Sequence, residues 1–95
     1  METIKINRVI PQSNLILHVE FTNGKKKEYN VSTLFTQFPA YKLLEYKPFF
    51  DSVSVDCGGY SISWTPEIDI SEWELWDNGT LKKDSYQMIM LFHLC

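Results

Sequence analysis

Residues 53–64 read Val-Ser-Val-Asp-Cys-Gly-Gly-Tyr-Ser-Ile-Ser-Trp, and this stretch decides the fold of the chain. Apolar and polar residues alternate on both sides of the glycine pair, which is typical of two antiparallel strands with one buried face. A two-residue loop at the glycines places every apolar residue on that face. The pairs that this loop predicts are Cys57 with Tyr60, Val55 with Ile62, and Val53 with Trp64. The stretch therefore predicts a β-hairpin.

An earlier hairpin is predicted over residues 15–31. Apolar residues occupy every second position of its first strand, and the chain then turns at Thr-Asn-Gly, residues 22–24. A two-residue Asn-Gly loop would pair Leu17 with Asn30 and put a polar side chain in the core. A three-residue loop pairs Leu17 with Tyr29 instead. We therefore expect the three-residue loop, with its glycine in the left-handed conformation.

A leading strand and short helices complete the predicted elements. Residues 3–10 contain isoleucines at strand spacing. Ser32 can cap a short helix in the connection between the two hairpins. Ser71 and Glu74 have the spacing of a capping box, so we expect a further helix over residues 71–78.

These elements predict an α+β fold for residues 1–80. The fold is an antiparallel sheet, made of the leading strand and the two β-hairpins, with short helices packed on one face. Residues 81–95 form an apolar C-terminal tail, for which a helix and an edge strand both fit the pattern. Residues 88–92 are all apolar, and such a run is costly to leave in water. We expect the tail to pack against the sheet or against a second copy, and the second arrangement, a homodimer, is favoured.

The composition is that of one small folded domain. The 95 residues are 44% hydrophobic, and the net charge of −3 gives no general reason to expect nucleic-acid binding. The sequence begins without a basic and apolar leader, its apolar runs are too short to span a membrane, and its two cysteines are too few for a disulfide framework. We therefore expect a cytoplasmic protein without membrane association. His93 and Cys95 make a poor ligand pair near a terminus, so we expect no metal and no cofactor.

The order of the pieces resembles a known family. Three short motifs follow one another: Val55-Asp56, Ile62-Ser63-Trp64 and Asp69-Ile70-Ser71. This order resembles the small bacterial proteins of domain-of-unknown-function family 2442, and the resemblance covers residues 3–78. It implies an α+β fold and no established enzyme activity. Some members lie beside small toxin-like proteins, so the resemblance also implies a role as the partner or neutraliser of such a protein. Residues 81–95 depart from the family pattern.

No catalytic constellation can be assembled from the sequence. Cys57 lies at a predicted hairpin tip without a histidine near it in the sequence, and we expect it to be a small, half-buried apolar residue. His18 lies on the outer face of the first hairpin, where we expect a cross-strand contact with Glu28. Asp69 and Ser71 are explained as residues at the entry of a helix. We therefore expect no enzyme activity.

An acidic, tryptophan-containing segment at residues 64–77 is the predicted partner-binding region. The candidate residues are Glu67, Asp69, Glu72, Trp73, Trp76 and Asp77. Trp73 and Trp76 lie three residues apart on one predicted helix face, so either both pack in the core or an exposed one anchors a protein partner. The absence of a base from the segment favours a basic partner. The sequence thus predicts a non-enzymatic protein-binding module.

A rival hypothesis uses the lysines at the tip of the first hairpin. Lys25, Lys26 and Lys27 follow one another there. Such a basic tip can contact phosphate groups, which would make the chain a nucleic-acid-binding accessory protein. Lysines at this position are also commonly found protecting the edge of a sheet.

Overall fold

The computed structural model describes residues 4–81 of the chain. The strands are β1 (Ile6–Pro11), β2 (Ile16–Phe21), β3 (Lys26–Asn30), β4 (Ser54–Val55), β5 (Ser61–Thr65), β6 (Ile68–Ser71) and β7 (Thr80–Leu81), and the helices are α1 (Lys47–Phe50) and α2 (Glu72–Asn78). These elements confirm the α+β class. The strands divide into a four-stranded sheet, in the order β1-β2-β3-β7, and a three-stranded sheet, in the order β4-β5-β6. The sequence predicted one sheet that contains both hairpins. In the structure the second hairpin instead forms a separate sheet, with residues 68–71 as its third strand.

The first hairpin has the register that the sequence predicts. Leu17 pairs with Tyr29 across β2 and β3. The Phe21 amide donates to the Lys25 carbonyl oxygen at 2.9 Å and so closes a three-residue loop. The last loop residue, Gly24, has a φ of +86°, which glycine adopts without the strain that a side chain would cause. The three-residue loop is therefore confirmed.

The second hairpin keeps its predicted register but has a wider turn. Val55 pairs with Ile62, and the Asp56 amide donates to the Ser61 carbonyl oxygen at 2.8 Å. The loop therefore consists of residues 57–60, rather than the glycine pair alone. Cys57 and Tyr60 are both exposed, the latter by 56%, so the predictions that Tyr60 lies on the buried face and that Cys57 is half-buried are wrong.

The close approach of Gly59 to β1 accounts for this wider turn. A Cβ atom at Gly59 would lie 2.5 Å from the Ile6 carbonyl oxygen, and the residue has a φ of +76°. The backbone of the turn therefore packs directly on the beginning of β1, which only glycine allows. The ring of Tyr60 lies outside this contact, with Lys5 Nζ 4.5 Å from its centroid.

Strand β6 was not predicted. Ile68 and Ile70 are buried and Asp69 and Ser71 are exposed, and Ile70 pairs with Ile62 of β5. Asp69 is thus a strand residue rather than part of a helix entry. Four alternating residues are too short a pattern to separate a strand from a loop by periodicity alone.

The helices lie where the sequence predicts them, but the residue that caps the first 3₁₀ turn differs from the predicted one. The connection between the hairpins contains 3₁₀ turns at Val31–Leu34 and Pro39–Glu45, followed by α1. The side chain of Asn30, rather than Ser32, begins the first turn, because its oxygen accepts from the Ser32 amide at 2.9 Å. Helix α2 begins as predicted, since the Ser71 hydroxyl accepts from the Glu74 amide at 3.1 Å.

One core cluster draws on both sheets. Its buried side chains are Ile6, Leu17, Val19, Phe21, Tyr29, Val31, Phe35, Leu44, Phe50, Ile62, Ile68, Ile70 and Leu75. Trp64 and Trp76 are partly buried and pack against this cluster. The Trp64 indole N–H donates to the Phe50 carbonyl oxygen at 2.9 Å. The shared core joins the two sheets into one packed body.

Strand β7 is the last described element. Thr80 pairs with Glu28, and Leu81 pairs with Lys27. From residue 82 onward, the tail predicted over residues 81–95 lies outside the described residues, so its form and its homodimer contact stay predictions. No helix within residues 4–81 is long and apolar enough to cross a membrane.

Replacing Leu75 with alanine tests the packing of α2. Leu75 is completely buried, so Leu75→Ala is expected to lower the free energy of unfolding by about 3 kcal/mol through lost burial and the cavity left behind. Trp73, two residues earlier, is 64% exposed, and Trp73→Ala is expected to change stability by less than about 0.5 kcal/mol. Urea unfolding measures both. A larger loss from the Trp73 variant would mean that α2 presents the opposite face to the core.

Candidate functional site

Helix α2 has one face in the core and one face in solvent. Leu75 is buried, whereas the side chain of Trp73 is 64% exposed. Trp76 is half-buried and packs edge-on against Phe21, with ring centroids 5.1 Å apart and an interplanar angle of 84°. Of the two tryptophans that the sequence left open, Trp73 is thus the exposed one and Trp76 borders the core.

A lysine from the first hairpin lies at the C-terminal end of α2. Lys27 Nζ donates to the Trp76 carbonyl oxygen, and it lies 4.0 Å from the centroid of the Trp76 ring. A cation at this position interacts favourably with the carbonyl end of the helix and with the aromatic ring. Residues 51–79 contain no basic residue. The fold nevertheless places Lys27 of the first hairpin against the acidic segment at residues 64–77.

The acids of the segment divide into one that supports the fold and several that face solvent. The Tyr29 hydroxyl donates to Glu74 Oε2 at 2.7 Å. Burial, reinforced by this hydrogen bond, raises the pKa of Tyr29. Glu67, Asp69 and Asp77 are exposed, while Glu72 is half-buried. The predicted partner-binding residues therefore include three exposed acids and one exposed tryptophan.

Aromatic residues from the helical connection lie beside the acidic strand β6. The Tyr41 hydroxyl donates to the Asp69 carbonyl oxygen at 2.7 Å. Phe38 is 50% exposed, and its ring centroid lies 5.7 Å from that of Tyr41. Strand β6 thus adjoins an aromatic pair in which Phe38 is exposed and Tyr41 is half-buried.

An exposed apolar groove in the same connection was missed by the sequence reasoning. Leu43 and Tyr46 are 59% and 68% exposed. Together with Pro48, Phe49 and Ser52 they line an open groove of about 540 Å³. Leu43 lies in the 3₁₀ turn that ends at Glu45, Tyr46 has an extended backbone, and Phe49 lies in α1. The groove therefore crosses two helical elements, and no single periodicity in the sequence predicts it.

The polar face of the second hairpin is explained by its own hydrogen bonds. Asp56 accepts hydrogen bonds from the hydroxyls of Ser61 and Ser63, the latter at 2.8 Å. These bonds hold the pKa of Asp56 below its ordinary value. Two polar residues of the family-like motifs, Asp56 and Ser63, therefore stabilise the turn of the hairpin.

The outer face of the first hairpin holds a small charged network. The register places His18 opposite Glu28, as predicted. His18 Nε2 lies 2.9 Å from Glu20 Oε2, and Arg8 Nη2 lies 3.3 Å from the same oxygen. The hydrogen bond with His18 holds the pKa of Glu20 below its ordinary value, and the charges of Arg8, His18 and Lys26 act in the same direction.

The lysine tip does not form a single basic patch. Lys25 and Lys26 are exposed, but Lys27 is half-buried and is directed towards Trp76. The strand alternation places Lys26 and Lys27 on opposite faces of β3. Only part of the predicted phosphate-contacting surface is therefore available for that purpose.

Within residues 4–81 no group of three or more His, Cys, Asp or Glu residues could hold a metal ion. Cys57 is a free, exposed cysteine on the second hairpin turn.

A family model gives the comparison with known proteins. The model described as "Protein of unknown function (DUF2442)" matches residues 6–80. The chain belongs to this family. The match confirms the resemblance seen in the sequence motifs and contains both the exposed Trp73 and the apolar groove. No curated protein and no solved structure matches the chain.

Replacing Lys27 tests the contact between the first hairpin and α2. Lys27→Met keeps the length of the side chain but removes its charge, so it is expected to lower the free energy of unfolding by about 1 kcal/mol. Lys26→Met is the matched control on the other face of the strand and is expected to stay within about 0.5 kcal/mol of the wild type. Urea unfolding at low ionic strength makes the comparison. Equal losses of unfolding free energy in the two variants would show that the contact of Lys27 with the end of α2 does not stabilise the fold.

The lowered pKa of Asp56 predicts a dependence of stability on pH. Its carboxylate stabilises the fold above its ordinary pKa of 3.8, and the contribution is lost as the pH falls through the lower folded-state value. Asp56→Asn is therefore expected to lower the melting temperature at pH 7, with the two melting temperatures converging below about pH 4. Asp51→Asn, at an exposed carboxylate paired with Lys47, is the control. A constant difference between Asp56→Asn and wild type from pH 7 to pH 2 would contradict the assignment.

Proposed function

We propose that the chain is a non-enzymatic protein-binding module that recognises a basic protein partner through α2 and β6. The observation that carries this proposal is the Trp73 side chain, which is 64% exposed on a helix whose other face is anchored in the core. Glu67, Asp69 and Asp77 are exposed in the same segment.

Trp73 is the proposed anchor. A tryptophan side chain covers about 150–250 Å², so burying the exposed part is worth about 3 kcal/mol in a partner's pocket. The N-terminal capping of α2 by Ser71 and the burial of Leu75 hold the helix in place. Because the backbone of α2 is already ordered, little backbone freedom is lost when a partner binds Trp73. This is the property of a preorganised hot spot.

The exposed acids determine which partner binds more than how tightly it binds. Glu67, Asp69 and Asp77 lie in solvent, where single ion pairs contribute little to affinity. Complementary charge speeds the encounter and disfavours acidic competitors. The partner class that fits is therefore a protein with a basic rim around an apolar pocket.

We add one partner class to this proposal. A small toxin-like protein with a basic surface would fit the chemistry of the segment, and the chain would then neutralise it by covering that surface. The exposed, free Cys57 fits a reducing compartment such as the cytoplasm. We place the interaction there.

Charge-reversal and anchor variants test the proposal. The tagged full chain is recovered from its native host at low salt, the co-purifying protein is identified, and its affinity is then measured with both purified proteins. Trp73→Ala is expected to weaken binding by about tenfold or more, and Glu67→Lys with Asp77→Lys to slow association. The controls are Tyr60→Ala, at another exposed aromatic, and Glu45→Lys, at an exposed acid outside the segment.

Three outcomes would contradict the proposal. The partner could bind Trp73→Ala as tightly as the wild type, which would remove the anchor. The partner could be an acidic protein, which would remove the charge argument. A chain that retains no protein at low salt would leave the proposed function without support.

A further inference from the structure

The turn between β1 and β2 holds a leucine in the left-handed conformation. The Ile16 amide donates to the Ser13 carbonyl oxygen, so Asn14 and Leu15 are the two central residues of this turn. Both have a φ of +62°, which is typical of a type I′ turn. Asparagine adopts this conformation readily, whereas leucine is strained in it and glycine is the usual residue. Such strain persists only where the surrounding structure requires it, so the contacts of the Leu15 side chain have to explain it.

The side chain of Leu15 forms part of the wall of a cavity. Leu15 packs against the core cluster, and together with Leu44 and Phe50 it lines an open cavity of about 220 Å³. Leu44 is completely buried and Phe50 is 3% exposed, so the floor of the cavity is apolar. Ser13 and Asn14 of the turn also line the cavity and add polar groups to its rim. The strained leucine therefore contributes apolar surface to the cavity as well as to the core.

Two charged residues of opposite sign line the same cavity. These are Glu45 and Lys47, while Tyr46 between them lines the separate apolar groove. The backbone explains this division, because Tyr46 has a φ of −81° and a ψ of 111°. In such an extended conformation successive side chains point to opposite sides. A carboxylate and an ammonium group therefore border one apolar cavity.

The charges and the apolar floor together indicate the class of ligand. We propose that the cavity binds a free apolar α-amino acid, whose side chain covers Leu15, Leu44 and Phe50. Glu45 accepts from the ammonium group of the ligand, and Lys47 donates to its carboxylate. The cavity is smaller than the about 300–1,000 Å³ of sites for drug-sized ligands, which limits the ligand to about the size of one amino acid. None of the lining residues belongs to α2 or β6, so the site is separate from the proposed protein-binding surface.

Lys47 has an acidic neighbour with which the ligand competes. Lys47 Nζ lies 2.9 Å from Asp51 Oδ2, and the two side chains are 78% and 40% exposed. Ion pairs with this exposure contribute little free energy, so the carboxylate of the ligand can take the place of Asp51. Asp51→Asn is therefore expected to strengthen the binding of the amino acid by about twofold.

Titration of the full chain with small molecules tests the proposal, with the amide NMR signals of Asn14, Leu15 and Lys47 as the readout. L-Leucine carries both charges, isocaproate lacks the ammonium group, and L-leucinamide lacks the carboxylate. Leucine is expected to shift these signals with a dissociation constant of about 1 mM or below, and to leave those of Ile62 and Trp73 unchanged. The two analogues are expected to bind about fivefold more weakly, because each loses one exposed ion pair.

Charge-neutralising variants assign the two ion pairs. In Glu45→Gln the advantage of leucine over isocaproate is expected to disappear, while its advantage over leucinamide remains. In Lys47→Gln the reverse is expected. Both residues are exposed, so neither change disturbs the core. Leu15→Asn removes apolar wall but keeps a residue suited to the turn, and it is expected to weaken leucine binding by about tenfold.

Three results would overturn the proposal. Leucine could leave the signals of the lining residues unshifted in the wild type. Leucine and its two analogues could bind equally well, in which case Glu45 and Lys47 take no part. Leucine could bind Leu15→Asn as tightly as the wild type, which would place the ligand outside this cavity.

Discussion

The shared core of the two sheets is the constraint on which the rest of the structure depends. Leu17 in one sheet and Ile62 in the other are both completely buried in the same cluster. The apolar face of a sheet must be buried against another layer of structure. Each sheet therefore uses the other to bury its apolar face, and the backbone contact of Gly59 with β1 brings them together at one end.

Helix α2 follows from the same constraint. It continues directly from β6, whose Ile70 is buried, so the helix begins with its orientation already set by the sheet. Leu75 then enters the core, while Tyr29 and Lys27 of β3 bond to α2. Trp73 takes part in none of these contacts and is 64% exposed. The proposed binding surface is a consequence of how the core is completed.

Short-range patterns in the sequence predicted much of this fold. The alternation of residues 53–64 gave the register Val55 with Ile62, and the choice of loop gave Leu17 with Tyr29, because a slip of one residue would bury polar groups. The capping of α2 by Ser71 was equally local. The motif order identified the family, which the match to residues 6–80 confirms.

Other features depend on contacts between distant residues and were not predictable in this way. The approach of Gly59 to Ile6 widens a turn that the glycine pair alone would make tight. Strand β6 is recognisable only by its pairing with β5. The candidate site was predicted as a segment, but which tryptophan is exposed depends on Phe21, more than fifty residues away in the chain. The contact of Lys27 with Trp76 also joins residues that are far apart in the chain, so local sequence patterns do not predict it.

We infer that α2 belongs to the same cooperative unit as both sheets, so that its outer surface is preformed. Native-state amide hydrogen exchange under conditions of fast reclosing measures this directly, because it gives an opening free energy for each amide. We expect one opening free energy, within experimental error, for the amides of Val19 in the four-stranded sheet, Ile62 in the three-stranded sheet and Leu75 in α2. A markedly lower opening free energy for Leu75 than for the two strand residues would contradict it.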